Sequence, residues 1–353
     1  MPIPSNERVY YAIQALAFAS GGWPLATPTG YRAAKGVQSV ESNVDFQLEQ
    51  VYQLGQLEIY ENIENIPNVE LTVTKALDGY SLIQHLATPT AVANGLAGRF
   101  NDQTCDIILN YYDLTNSFAS GTILKTALFK TMYVSQLGFS FPVDGSHTES
   151  VTLVGNNKSF FVPTGNLYAT GTIFSGEESP VLASGGIQRR ENIKMGGSGS
   201  YFPSFIPGMA SIVDGGTTGW YNPIAADGSL AAHIQSVNIS TNLGRTELFE
   251  LGRRGPYFRY ANFPTEVTCS IEITTSEYGD NINARDDQDN LQNEWIRIKT
   301  DHGIVIDLGK KNKVSSVSTS GGDTGGGNVT TTYNMSNFNY MVTTFTEKDP
   351  ARL

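Results

Sequence analysis

Residues 37–67 recur at 234–264 without a gap. Val37-Gln38-Ser39-Val40 returns as Ile234-Gln235-Ser236-Val237, and Leu54-Gly55, Tyr60, Asn65 and Pro67 return as Leu251-Gly252, Tyr257, Asn262 and Pro264. All lie at an offset of 197, with eight of thirty-one positions identical. A repeat this long marks two copies of one β-rich unit, and a duplicated unit more often builds an assembly than an active site. Beyond the proline, periodicity takes over from identity. Val69, Leu71 and Val73 alternate with Glu70, Thr72 and Thr74, as Val267, Cys269, Ile271 and Ile273 alternate with Thr268, Ser270, Glu272 and Thr274. Such alternation is what a half-buried antiparallel strand requires. Matching the faces needs one extra residue after Pro264, because a slip without it would turn the core side chains outward.

The elements that follow recur in the same order. In the first copy the spacing predicts a strand over Gly36 to Leu54, a turn at Leu54-Gly55 and a return through Leu57, Ile59 and Ile63, together a long hairpin. A helical spacing runs from Tyr80 to Phe100, then strands over Asp106 to Tyr112, Met132 to Phe141 and Glu149 to Val154, with a turn at Pro142-Val143-Asp144-Gly145. The second copy offers a more polar helix over Asn283 to Arg297 and strands at Trp295 to Lys299, Ile304 to Leu308, Val314 to Thr319 and Val329 to Tyr340. The fold class is therefore mainly β, two tandem sandwich or half-barrel units each with a short helix. Their expected bounds are 1–165 and 228–353. Residues 166–227 join them, rich in Gly, Ser and Pro. That segment is long for a passive connector and carries Phe202, Phe205, Ile206, Met209 and Trp220, so a strap lying on a neighbouring surface fits it better than free coil.

Charge and composition exclude several roles. With 23 basic against 34 acidic residues, a net charge of −11, the chain would repel nucleic acid rather than hold it. Only 16% of residues are charged, which suggests surfaces covered by partners. Cys105 and Cys269 fall on apolar alternating runs, where buried thiols are expected in preference to a disulfide. Arg8 and the apolar run to Ala17-Phe18-Ala19 imitate a signal peptide weakly, but Gln14 interrupts them and Ala19-Ser20-Gly21-Gly22 has a loose echo at Ala210 to Gly216, which places the segment in the fold. No run of eighteen apolar residues offers a membrane span.

Catalytic and metal chemistry find little support in the residues. His85, His147, His233 and His302 are scattered, without a His-x-x-x-His pair or a neighbouring cysteine, and read as surface or loop residues. No nucleophile elbow announces a serine triad. The acidic cluster Asp286-Asp287-Gln288-Asp289-Asn290 lacks the glycine and closing glutamate of a calcium loop and reads as a solvated helix start. Gly321 to Gly327 lacks the Lys-Ser/Thr of a phosphate loop and reads as a hairpin tip. No catalytic, cofactor or metal residue is assigned. The basic clusters Arg189-Arg190 and Arg253-Arg254 with Arg259 lie on expected loops and read as partners for acidic patches on adjacent subunits.

Three stretches carry a family resemblance: Leu251-Gly252 with Tyr257 to Tyr260 and Phe263 to Ile271; Tyr133 to Leu137 running to Phe141-Pro142-Val143-Asp144-Gly145; and Thr148 to Asn156. Together they resemble the hairpin, long strand and closing hairpin of the tail tube proteins of tailed bacteriophages, over most of both halves. The resemblance implies a non-enzymatic virion protein of the tail, assembled in the host cytoplasm, whose subunits close into rings that stack into a channel for DNA ejection. Two units per chain would make three chains a pseudo-sixfold ring. Sheath, baseplate and tape-measure proteins are implied partners, with transient passage of DNA and no membrane. The polar faces Glu70, Thr72, Thr74 and Thr268, Ser270, Glu272 become candidates for the channel lining. Other readings of the same residues are a baseplate or tail-completion protein of this fold, a carbohydrate-binding β-sandwich using its tyrosines and tryptophans as platforms, and a carboxylate hydrolase.

Overall fold

The computed structural model describes residues 14–20, 31–88, 103–112, 123–162, 186–195, 233–274, 293–300, 303–321 and 327–345. The first half contains β1 (Gln14–Ser20), β2 (Arg32–Ala33), β3 (Val37–Asp45), β4 (Glu49–Tyr52), β5 (Ile59–Ile63), β6 (Asn68–Ala76), α1 (Ile83–Ala87), β7 (Thr104–Tyr112), β8 (Ile123–Pro142), β9 (Thr148–Gly155) and β10 (Asn157–Phe161). After β11 (Ile193–Met195) come β12 (Ile234–Asn242), β13 (Thr246–Leu248), β14 (Phe258–Tyr260), β15 (Glu266–Thr274), β16 (Arg297–Thr300), β17 (Val305–Asp307), β18 (Lys313–Ser320), β19 (Thr330–Phe338) and β20 (Val342–Thr344). The chain is mainly β, as its alternating patterns require.

The repeat is a repeat of strand order. Four antiparallel strands run β3-β6-β9-β8 in the first unit and β12-β15-β19-β18 in the second. The irregularities repeat as well. Pairing shifts between Val37 and Ser39 on β3 and between Ile234 and Ser236 on β12, and again between Val134 and Gln136 on β8 and between Val314 and Ser316 on β18. Val40 faces Val73 where Val237 faces Ile271, which is the one-residue insertion after the proline seen as a register. A bulge bends a strand and raises its twist, so four matched bulges give the two units the same curvature.

The units are fused through a shared sheet. β12 pairs antiparallel with the C-terminal part of β8 over seven residues, from Ser236 opposite Pro142 to Asn242 opposite Gln136, so one sheet of eight strands crosses both units. β8 does double duty because Thr131 takes a left-handed φ of 56°, its N–H donating to the Asp106 carboxylate at 2.8 Å. Before that kink β8 pairs with β7 and β10; the pairing with β7 ends at Tyr133, where that with β9 begins, and β12 joins further on. The apolar face of the long sheet is covered by β7 with β1, by α1, and by a smaller sheet ordered β11-β16-β17-β20. Its core is one cluster, in which Val69, Leu71 and Phe139 belong together with Ile239, Ile271, Ile298 and Ile306. Each such side chain contributes about 1.5–3 kcal/mol on burial.

Several expectations change here. The strand expected from Gly36 to Leu54 breaks after Asp45, whose carboxylate accepts the N–H of Gln47, itself at a φ of 46°. The helix expected from Tyr80 starts only at Ile83, because the Glu149 carboxylate from β9 reaches the Ile83 and Gln84 N–H groups at 2.8 and 2.9 Å and satisfies the first turn from outside it. Its extension beyond Thr88 lies outside the described residues, as do Asn283 to Gln292 of the second expected helix, the acidic cluster at 286–290 and His302. His147, read as a surface or loop histidine, is buried against the Phe141 ring. Both cysteines are buried free thiols; burial pushes Cys269 up to about 12 and Cys105 higher still. Ala17 to Ala19 form part of a buried strand paired with β7.

Candidate functional surface: an open sheet, its polar face and its hairpins

Because side chains alternate along each strand, the long sheet has one apolar and one polar face. All six candidate lining residues fall on the polar face. Thr72 and Thr152 share a hydroxyl hydrogen bond of 3.1 Å across β6 and β9. Ser140 donates to Asn238 at 2.8 Å across the junction of the units, Ser240 meets Thr268 at 2.7 Å, and Ser236 donates to Glu272 at 3.1 Å. Asn334 then donates to Ser316 at 3.0 Å on the far strand. Short hydroxyl and amide side chains therefore ladder across the sheet and satisfy one another, all but the buried Thr152 at least partly exposed. Each local strand pattern signals a polar face, but only the β8–β12 pairing makes the two faces one surface.

At its two outer edges the sheet is open. Among the described residues β3 pairs only with β6, and β18 only with β19. Unpaired edges are templates for further strands. At one end of the sheet each unit raises a hairpin, β4–β5 and β13–β14, with Glu49 opposite Ile63 where Thr246 is opposite Tyr260. Gly55 and Gly252 turn the tips at φ of 89° and 84°. Leu54 and Leu251 stand fully exposed beside them, with Tyr52 and Phe249 at equivalent exposed positions below.

The hairpins differ in how they sit. The first is exposed nearly throughout, whereas the base of the second is locked onto the first unit by Arg259. Arg259 was expected at a surface between subunits; it is instead 5% exposed and engaged within its own chain. Its guanidinium pairs with Glu247 and donates to Asn68 at 3.0 Å, Asn156 at 3.3 Å and the Gly155 carbonyl at 3.5 Å. Arg254 is exposed and reaches the Glu64 carbonyl of the first hairpin at 3.2 Å; Arg253 makes a solvated contact with Glu250 at 3.5 Å, worth at most about 1 kcal/mol. Arg189 and Arg190 are exposed at the opposite end of the sheet, where the backbone of Gln188 bonds to Leu77 and His147. The Arg189–Arg190 pair is thus separated from the Arg253–Arg259 cluster by the length of the sheet.

A second polar cluster lies inside the first unit, away from the polar face. In the first unit Lys75, Asp78 and Glu149 are buried together, Lys75 bonding Asp78 at 2.5 Å and the Lys35 carbonyl at 2.7 Å. Burial raises Glu149 to about 7 against the pull of its two backbone donors and Lys75. At the matching positions of the second unit stand Ile273 and Thr331, paired with one another as Lys75 is with Glu149. The alternation of Lys75 with Thr74 could have placed that lysine inward. Groups of three or more His, Cys, Asp or Glu able to hold a metal ion do not occur among the described residues.

No protein-family model matches this chain, and no curated protein matches it. Among solved structures it is similar to a chain of the anti-feeding prophage baseplate, at 8% identity over 44% of this chain and 97% of that one, with a TM-score of 0.33. It is similar to a chain of the sheath-tube complex of the PVC extracellular contractile injection system, at 11% identity over 45% and 95%, with a TM-score of 0.31. A third is the SPP1 tail tube, at 12% identity over 47% and 86%, with a TM-score of 0.31. Each of these chains corresponds to less than half of the present one.

Proposed function

We propose that this chain is a structural subunit of a phage tail tube, that three copies join edge to edge into a pseudo-sixfold ring, and that rings stack through the hairpins into a channel for DNA. The observation that carries the reading is the β8–β12 junction: one unit continues into the next through strand pairing, and the two outer edges repeat the strands that form that junction. Closure removes the open edges. Geometry favours three chains. At about 4.8 Å per strand and a tilt of about 40°, twenty-four strands give a backbone diameter of about 48 Å, leaving a bore of about 38 Å inside the side chains. Sixteen strands leave only about 22 Å, which a duplex about 20 Å across would fill with no room for a water layer.

The polar face suits the bore. It offers hydroxyls, amides and the carboxylates Glu70 and Glu272, and in a chain of net charge −11 it gives phosphates little to hold. Electron microscopy of the purified chain is expected to show six-lobed rings containing three chains, some stacked. Rings that never stack would make it an adaptor or completion protein, and a monodisperse monomer under all assembly conditions would refute ring building. In assembled particles, Glu70→Lys with Glu272→Lys is expected to slow DNA release severalfold; unchanged release from normally assembled tails would remove the face from the lining.

A further inference from the structure

We infer that the joint between chains reproduces the internal joint residue for residue, with β18 of one copy pairing antiparallel to β3 of the next, Asn43 opposite Ser318, Val44 opposite Val317, and Glu61 meeting Lys313. The inference rests on the ring-building reading and specifies its interface. Matched bulges fix the correspondence: β12 maps to β3 by subtracting 197 and β8 to β18 by adding 180, so Ser240 opposite Gly138 becomes Asn43 opposite Ser318, and Thr241 opposite Leu137 becomes Val44 opposite Val317.

Exposure changes in the way this mapping requires. Val237 is 0% and Leu137 2% exposed inside the internal joint, whereas their counterparts Val40 and Val317 are only partly covered, and Phe46 is 60% exposed where Leu243 is 1%. Leu243 is covered because its N–H donates to the Ser135 carbonyl of β8 at 2.8 Å; the same step on the outer edges brings the Phe46 N–H to the Ser315 carbonyl. The hairpins follow. Phe258 meets the Tyr133 ring edge-on at 6.2 Å in the internal joint, and the corresponding residues are Glu61 and Lys313, both exposed and of opposite charge.

The outer joint is the weaker of the two. Thr319 and Gly321 stand where the internal joint has Phe139 and Phe141, and Asn62 stands where it has Arg259. Less apolar area is buried, and an exposed ion pair replaces an aromatic one, so ring closure is expected to be reversible and salt-sensitive where the internal joint is not.

Cysteine pairing tests the register. Asn43 and Ser318 lie on opposite edges of an eight-stranded sheet, about 34 Å apart at strand spacing, whereas a disulfide needs Cα atoms within about 7 Å. Cys105 and Cys269 are buried and stay silent. Asn43→Cys with Ser318→Cys, oxidised under assembly conditions, is expected to give covalent dimers and trimers with nothing above the trimer. Asn43→Cys with Ser316→Cys should crosslink at least tenfold less. Glu61→Lys should reduce the assembled fraction at low salt, and Lys313→Glu added to it should restore assembly. Wild-type rings with neither crosslinking nor charge rescue would overturn the joint while leaving ring building intact, as would dimers from Asn43→Cys alone, which signify β3 pairing with β3. Absence of wild-type rings would instead remove the reading on which the joint rests.

Discussion

Arg259→Ala is expected to destabilise the chain by about 3–5 kcal/mol, the cost of breaking a buried charge pair from one side. The guanidinium is the only cation that contacts Glu247 among the described ion pairs, and it also satisfies Asn68, Asn156 and the Gly155 carbonyl. Removal leaves the Glu247 carboxylate with the Asn156 amide as its remaining donor at 3.2 Å, and takes a donor from Asn68, Asn156 and the Gly155 carbonyl. Arg259→Lys should recover only part of the loss, since a single ammonium cannot span partners that a planar fork reaches together. Because the contact ties the second hairpin to the first unit, the hairpin should also become sensitive to protease near Phe258 and Tyr260. Denaturant unfolding checks the magnitude; a loss below about 1 kcal/mol would show that the internal joint stands on β8–β12 pairing alone.

Two buried groups of the first unit are expected to give pH dependences of opposite sign. Glu149 has a folded value of about 7 against an ordinary 4.5, chiefly through burial. Between those values the folded chain holds a proton that the unfolded chain has lost, so this residue lowers stability as pH rises through the window. His147 is lowered from 6.5 to about 4, again chiefly by burial, with Glu191 opposing. Between those values the unfolded chain holds the extra proton, so this residue lowers stability as pH falls. Each amounts to about 3 kcal/mol at about 1.4 kcal/mol per pH unit, and in the wild type they largely offset one another between about 4.5 and 6.5. Relative to wild type, His147→Phe should gain stability on acidification from pH 7 to 4.5, and Glu149→Gln should lose it. Unfolding free energies at three pH values distinguish the variants; slopes of the same sign would mean that neither group titrates as its burial demands.

The polar face of the sheet was legible because Glu70, Thr72 and Thr74 alternate with Val69, Leu71 and Val73, and a period of two leaves a strand only one way to face. The turn glycines were legible too, since Gly55 and Gly252 hold the conformation that side chains resist. Arg259 was misplaced for an equally physical reason. Its neighbours Arg253 and Arg254 are solvated, and nothing local distinguishes an arginine facing water from one that meets Asn68 and Asn156, residues more than a hundred positions away. Lys75 and Glu149 sit on the apolar register of their strands, but nothing local marks the groups that let Glu149 stay there, since its donors, the Ile83 and Gln84 N–H groups, come from α1. The start of α1 was misread because its cap comes from β9, not from the residue before it.

By itself the sequence determined that one alternating pattern recurs along the chain, that each occurrence reads as antiparallel β strands with one polar face, and that the two differ at their hairpin tips. Those properties are local, written in alternation and turn residues. Only the tertiary structure decided that both halves share one sheet and one core, that β8 bends at Thr131 to serve two sets of partners, and that among the described residues β3 and β18 are left as open edges. Strand pairing joins backbone groups, which carry no side-chain signature, so the partner across an edge is fixed by geometry that no stretch of sequence records.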